Sequence, residues 1–168
     1  MKNKLTGLVI AITIAVLFYG CKKDCCTLAQ ETNVIVALKN NTEWRTEGQL
    51  YRYNSRKDTV MLSGSNGEEK LNITIKKSGD NYTMFDVTFY IVQGDIILAD
   101  YVLDTSKSNA FATTTNTDAL LEGNFTLYFK LNHDDTSHSR PKTVAFKSGL
   151  FRVGWDHVTQ PVLWGVRK

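Results

Sequence analysis

The densest cluster of side chains that could ligate a metal is His133-Asp134-Asp135-Thr136-Ser137-His138. Its two imidazoles and two carboxylates are ligand types that divalent metals accept. Their spacing matches neither a helical His-x-x-x-His pair nor a calcium-binding loop. The cluster also falls between two predicted strands, where a hairpin connection must be polar. We therefore interpret it as a solvated loop, and we predict neither a metal site nor a cofactor.

Carboxylates are frequent enough to suggest glycoside hydrolysis, which needs two acids at a suitable separation. Any β domain of this size offers such pairs, however. A nucleophile elbow is also absent, because Gly64-Ser65-Asn66-Gly67 is one residue short of Gly-x-Ser-x-Gly. His157 beside Asp156 has no serine that the sequence can place near it. We therefore predict no catalytic residues and a protein that is not an enzyme. The acids from which a glycosidase pair could be drawn are Glu43, Glu47, Asp86, Asp100, Asp104 and Glu122.

Aromatic side chains offer better material for binding than for catalysis. Rings with one polar atom stack on sugars and anchor protein partners. We predict a binding surface for a glycan or protein ligand that includes Trp44, Tyr90 and Tyr128. The alternative is that these rings are cross-strand pairs that stabilise a sheet. Nucleic acid is not expected as a partner, because 20 basic and 17 acidic residues leave a formal charge of only +3.

The N-terminus carries the features of an export signal. Lys2 and Lys4 precede an apolar run over residues 5–19, which is shorter than the roughly 20 residues that span a bilayer. The run ends in Gly20-Cys21, which resembles the lipobox of bacterial lipoproteins. That resemblance implies a signal peptide over 1–20, cleavage between Gly20 and Cys21, and a diacylglycerol on the Cys21 thiol. Residues 21–33 would then form a lipidated tether.

A lipid on Cys21 would hold the protein to a membrane, because each buried methylene contributes roughly 0.8 kcal/mol. Lys22-Lys23-Asp24 is similar to signals that send lipoproteins of the phylum Bacteroidota to the outer face of the outer membrane. We therefore expect a cell-envelope protein at the outer membrane, with surface exposure left open. Asp58-Thr59-Val60 is similar to the O-glycosylation acceptor of exported Bacteroidota proteins, which makes Thr59 a candidate sugar site.

Hydrophobic alternation with a period of two predicts the fold. In residues 124–131, Phe125, Leu127, Phe129 and Leu131 share one face while Tyr128 lies on the other. Residues 70–76 and 84–91 repeat the pattern, with Phe85 expected among the buried set, and such alternation favours antiparallel pairing. Less regular strands are predicted over 34–38, 43–53, 59–63, 96–103, 112–115, 143–146, 150–153 and 162–166.

Turn residues separate these segments, among them Ser148-Gly149, and residues 117–121 could form one helical turn. With 168 residues and only 2 prolines, we expect one β domain over 34–168. The only cysteines besides Cys21 are Cys25 and Cys26, so no disulfide framework holds it. The fold class predicted is an all-β antiparallel meander, forming either a β-sandwich or a flattened lipocalin-like barrel.

Three further segments carry a family resemblance: Lys39-Asn40-Asn41-Thr42-Glu43-Trp44, Leu121-Glu122-Gly123-Asn124-Phe125-Thr126-Leu127 and Phe146-Lys147-Ser148-Gly149-Leu150-Phe151. With the Cys21 lipobox they resemble families of uncharacterised Bacteroidota lipoproteins with an all-β domain. The resemblance implies an address and a fold but no reaction. We expect a lipid-anchored, non-catalytic β domain that presents a binding surface. The alternatives are a small envelope hydrolase or an inhibitor of one, acting through a loop such as 133–140.

Overall fold

The chain is represented by a computed structural model that describes residues 31–52, 56, 58–135 and 140–155. Gly20, Cys21 and the predicted strand over 162–166 lie outside these residues. The described part contains nine strands and no helix long and apolar enough to cross a membrane. The strands are β1 (Val34–Lys39), β2 (Thr42–Arg52), β3 (Thr59–Asn66), β4 (Glu69–Ser78), β5 (Asn81–Gln93), β6 (Ile96–Leu103), β7 (Ala110–Asn116), β8 (Leu120–Asp134) and β9 (Thr143–Gly154).

The strands form one antiparallel sheet that closes into a ring. Each strand from β1 to β5 pairs with the strand that follows it, β1 also pairs with β9, and β9 pairs with β8. The ring closes where β8 meets β6, with Leu131 opposite Tyr101 and Phe129 opposite Leu103. The all-β antiparallel prediction is therefore confirmed, and the closure corresponds to its barrel alternative.

Strand β8 has two partners along one edge, β7 on its N-terminal half and β6 on its C-terminal half. The connection between them is fixed to β8, since the Asp104 amide donates to the Tyr128 carbonyl at 2.7 Å and the Tyr128 amide donates to Asn109 Oδ1 at 2.8 Å. Among the described residues, no backbone ladder joins β7 to β5, although the Tyr82 amide donates to Thr113 Oγ1 at 3.4 Å. We term residues 81–87 of β5 and 110–116 of β7 the β5–β7 seam.

Aromatic side chains fill the barrel interior. The Phe146 ring lies 5.2 Å from Phe89, 5.3 Å from Trp44 and 5.9 Å from Phe129, measured between ring centroids. The closed ring contains eight of the nine strands, β1 to β6, β8 and β9. A barrel of eight strands is just wide enough for side chains to fill its interior. The predicted core face of β8 is confirmed, because Phe129 is 1% exposed whereas Tyr128 is only half-buried.

Phe85 departs from the predicted core face, because its side chain is 61% exposed. In the register with β4, Ile75 pairs with Met84 and Thr74 pairs with Asp86, so Phe85 is an extra residue in β5. Such a β-bulge shifts the alternation by one position. Met84 therefore packs against the core, and the predicted burial of Phe85 is wrong.

Two predicted connections also differ from the structure. Ser148-Gly149 is not a turn between two strands but a bulge within β9, with a φ of 50° at Ser148. Gly149 is required there, since an added Cβ would lie 2.4 Å from the Phe125 ring. Residues 117–119 form no helical turn; they close the β7–β8 hairpin, where the Leu120 amide donates to Thr117 Oγ1 at 3.1 Å.

Candidate functional site

The strand connections divide between two ends of the barrel. One end, which we term the cleft end, carries the β1–β2, β3–β4, β5–β6 and β8–β9 connections. The β2–β3, β4–β5 and β7–β8 connections lie at the opposite end, because antiparallel hairpins alternate. The chain also enters the barrel at the opposite end, ahead of Val34, and leaves β9 there at Gly154.

A cleft of about 410 Å³ opens at the cleft end, where the β1–β2 and β3–β4 connections approach Ile91 of β5 and Arg140. This volume is at the lower end of the range seen for small-molecule pockets, about 300 to 1,000 Å³. The lining combines apolar, amide and charged groups. The residues are Lys39, Thr42, Glu43, Trp44, Asn66, Glu68, Glu69, Ile91 and Arg140.

Each cation of the cleft lies beside a carboxylate. Lys39 Nζ donates to Glu69 Oε1, with side chains 23% and 24% exposed. Arg140 Nε lies 3.6 Å from Asp134 Oδ1. Glu43 and Glu68, by contrast, form no ion pair within the described part of the chain. The cleft therefore presents two carboxylates that other groups of the barrel leave free.

Tyr101 fixes the β8–β9 connection next to this cleft. Its hydroxyl donates to the Pro141 carbonyl at 3.0 Å, and its side chain is 2% exposed. Burial raises the pKa of Tyr101, while the nearby Arg140 opposes the rise. The phenol therefore remains a hydrogen-bond donor and holds the residue that follows Arg140.

Trp44 borders the cleft but does not offer its ring to a ligand. Its side chain is 2% exposed and packs edge-to-face on Phe146. Its Nε1 is buried with no hydrogen-bond acceptor among the described residues. Trp44 therefore does not contribute its ring to the exposed surface of the described barrel, because this position of β2 faces the barrel interior.

Tyr90 and Tyr128 lie away from the cleft, and both are half-buried. Tyr90 lies between Lys70 of β4 and Asp100 of β6, and Tyr128 pairs with Ala145 of β9. Both have the cross-strand positions that stabilise a sheet. The structure does not bring the three predicted aromatic residues together.

Two isoleucines are exposed at the cleft end, and the sequence prediction missed them. Ile96 is 61% exposed and Ile97 is 47% exposed, at the tip of the β5–β6 hairpin. Carboxylate-bearing residues flank the tip, since the Val92 amide donates to the Glu68 carbonyl at 2.7 Å and the Asp135 amide donates to the Leu98 carbonyl at 2.8 Å. Two consecutive isoleucines after a turn cannot both face inward, which is the signal that could have revealed them.

The remaining candidates show no assembled site. His133 Nε2 lies 3.6 Å from Asp135 Oδ1 with both side chains exposed, and His138 lies outside the described residues. Within the described ranges, no group of three or more His, Cys, Asp or Glu side chains could hold a metal ion. Glu122, one of the acids considered for catalysis, has Arg152 Nε at 3.1 Å from its Oε1.

Thr59 is not accessible for glycosylation in the folded barrel. Its side chain is 3% exposed, and its hydroxyl donates to Asp58 Oδ1 at 3.1 Å. Attachment of a sugar to Thr59, which stays a prediction, would need a hydroxyl that the folded barrel does not expose.

Comparisons of the chain with models of protein families, with curated proteins and with solved structures give no match.

Proposed function

We propose that this chain is a lipid-anchored protein of the bacterial cell envelope whose barrel binds a protein partner at the cleft end. The observation that supports the proposal is the position of the cleft. It lies, with the exposed Ile96 and Ile97, at the end of the barrel opposite the point where the chain enters.

The lipid anchor would attach the barrel by the end that carries no cleft. With a diacylglycerol on Cys21 and residues 21–33 as a tether, the chain reaches β1 at the end opposite the cleft. The cleft end is the end of the barrel opposite the start of β1. We place the protein at the outer membrane, as the Lys22-Lys23-Asp24 segment suggests.

The surface chemistry of the cleft end favours a protein over a glycan. Sugars are typically recognised by exposed aromatic faces, and Trp44 is buried while Tyr90 and Tyr128 are half-buried on the barrel wall. Exposed aliphatic groups beside charged and amide groups are instead typical of protein interfaces. Ile96 and Ile97 next to a cleft with free carboxylates at Glu43 and Glu68 form such a surface.

Site-specific photo-crosslinking in living cells tests the proposal. A photoreactive residue would replace Glu68 or Ile97 at the cleft end, and Asp118 in the β7–β8 turn as the matched exposed control at the other end. We expect one discrete protein adduct from positions 68 and 97 and none from 118. Equal adducts at all three positions would contradict a specific surface, and binding to a glycan array without a protein adduct would favour the glycan alternative.

A further inference from the structure

We propose that Asn66 is a site of deamidation in the folded barrel and that the product adds a carboxylate to the cleft. The reaction converts a side-chain amide into a carboxylate, with water as the reactant and ammonia as the leaving molecule. The inference is independent of the function proposed above, because it concerns a reaction of the chain itself and needs no partner.

The sequence places the least hindered residue directly after Asn66. Deamidation begins when the backbone nitrogen of the following residue attacks the side-chain amide carbon, so a side chain on that residue slows the attack. Asn66 is the one asparagine of the 168 residues that a glycine follows, and glycine has no Cβ. The segment Gly64-Ser65-Asn66-Gly67, which is too short for a nucleophile elbow, therefore has the order that this reaction requires.

The turn leaves the attacking nitrogen accessible. Asn66 pairs with Glu69 at the end of the β3–β4 hairpin, so Gly67 and Glu68 form a two-residue loop. Gly67 has a φ of 60° and Glu68 does not have a positive φ, as in a type II′ turn. Within the described ranges the Gly67 amide donates no hydrogen bond. Apart from its chain neighbours, no atom lies within 4 Å of a Cβ added at Gly67, so the side chain of Asn66 can approach the nitrogen.

The side-chain amide of Asn66 is also unrestrained. It is exposed and forms no hydrogen bond with another residue that the structure describes. By contrast, Asn72 Oδ1 accepts a hydrogen bond from the Ser63 hydroxyl at 2.7 Å, and Asn116 Nδ2 donates to the Asp80 carbonyl at 2.9 Å. Such hydrogen bonds oppose the rotation of the amide that attack requires, because the rotation would break them.

The reaction is balanced by water alone. The Gly67 nitrogen loses its proton to hydroxide and forms a bond to Cγ of Asn66. The bond from Cγ to Nδ2 breaks, and the departing ammonia takes a proton from water, which regenerates hydroxide. The resulting succinimide ring then adds water at one of its two carbonyl carbons. Opening at Cγ leaves an aspartate, whereas opening at the backbone carbonyl carbon leaves an isoaspartate, in which the main chain continues through Cγ.

Either product changes the charge of the cleft. Asn66 is one of the residues that line the cleft, together with two cations and three carboxylates, which are Lys39, Arg140, Glu43, Glu68 and Glu69. A carboxyl group in either product is ionised at neutral pH. The cleft would then carry four carboxylates against two cations.

Peptide mass mapping of the folded protein tests the inference. The protein is incubated at mildly alkaline pH and digested in acid, where the reaction is slow. We expect the peptide with residue 66 to gain the mass difference between OH and NH2. The peptides with Asn72 and Asn124 are the internal controls and should keep their mass, because Ile73 and Phe125 follow these asparagines. Asn66→Gln should also leave the mass of its peptide unchanged, since its longer side chain would have to form a larger ring.

A parallel incubation in urea separates the effect of the turn from that of the sequence. The residue-66 peptide could keep its mass in the folded protein and gain mass only in urea. The folded turn would then block the reaction, and the inference would be overturned. An equal gain in the Asn72 or Asn124 peptide of the folded protein would also overturn it, because the turn would then give Asn66 no preference.

Discussion

At the cleft, side chains divide into those held by the barrel and those left for a partner. Lys39 is paired with Glu69, and Arg140 lies 3.6 Å from Asp134 while Tyr101 fixes the neighbouring Pro141 carbonyl. Because both cations are already held in place, little further side-chain entropy is lost when a partner binds. Glu43 and Glu68 remain as acceptors. We expect basic groups of a partner to meet these two carboxylates.

Phe129 and Tyr128 are adjacent in β8 but lie on opposite faces, which allows a direct test of the barrel interior. Phe129→Ala should lower the free energy of unfolding by about 3 to 5 kcal/mol, because its ring packs against Phe89 and Phe146 in the core. Tyr128→Ala should cost much less. Denaturant titration of both variants gives the comparison, and equal losses would refute the assignment of faces.

Asp104 gives the stability of the barrel an acid-sensitive contribution. Its Oδ1 accepts hydrogen bonds from the Ser106 hydroxyl at 2.7 Å and the Ser106 amide at 3.1 Å, which lower the pKa of Asp104 from 3.8. A carboxylate whose pKa is lower in the folded than in the unfolded protein stabilises the fold above its unfolded-state pKa. That stabilisation is lost as the pH falls through the folded-state pKa. Asp104→Asn should therefore be less stable than wild type at neutral pH and approach it below a pH of about 3.8.

The measurement is the urea midpoint as a function of pH, with Asp118→Asn as an exposed control. A difference between Asp104→Asn and wild type that stays constant over the acid range would show that the carboxylate charge does not contribute.

At the level of elements, the sequence predicted the core faces of strands with regular alternation. It did not predict the β-bulges. The strand containing Leu71, Ile73 and Ile75 has strict alternation, and all three side chains are fully buried. In β5 and β9, one extra residue changes the face of those that follow, at Phe85 and at Ser148. A bulge depends on the partner strand, so the local pattern could not reveal either. The sequence did not predict the cleft either, because the residues that line it come from separate connections.

Gly123 allows β7 and β8 to approach each other. An added Cβ would lie 2.2 Å from the Ala112 carbonyl oxygen of β7 and 2.4 Å from the Phe151 ring. Gly123→Ala should therefore cost about 1 to 3 kcal/mol by overpacking, because a backbone carbonyl cannot move aside as a flexible side chain can.

The neighbouring Asn124 is exposed, so Asn124→Ala is the matched control and should change stability by less than about 0.5 kcal/mol. Thermal unfolding of the two variants decides the matter. If Gly123→Ala were as stable as Asn124→Ala, the close packing of β7 on β8 would be wrong.

At the scale of the whole molecule, the proposed function combines two features. The lipid anchor is predicted from the sequence, whereas the cleft end is visible only in the fold. The N-terminal lysines, apolar run and Gly20-Cys21 are contiguous, which is why the sequence alone could predict an anchor there. The cleft end depends on how distant hairpins meet, and single-residue patterns do not encode that meeting.

Replacing the anchor residue should separate location from folding. Cys21→Ala should move the protein from the membrane to the soluble fraction, because no acyl chain can be attached there. Its unfolding midpoint should stay that of the non-acylated wild-type chain, since Cys21 precedes the barrel. Cell fractionation checks the first expectation, and a Cys21→Ala protein that remains with the membranes would argue against the lipobox.

The most direct test of the account is the intact mass of the protein made from its full gene in a bacterium of the Bacteroidota. We expect the mass of residues 21–168 plus acyl chains on Cys21. A mass without acyl chains, or one that retains residues 1–20, would contradict the lipid anchor.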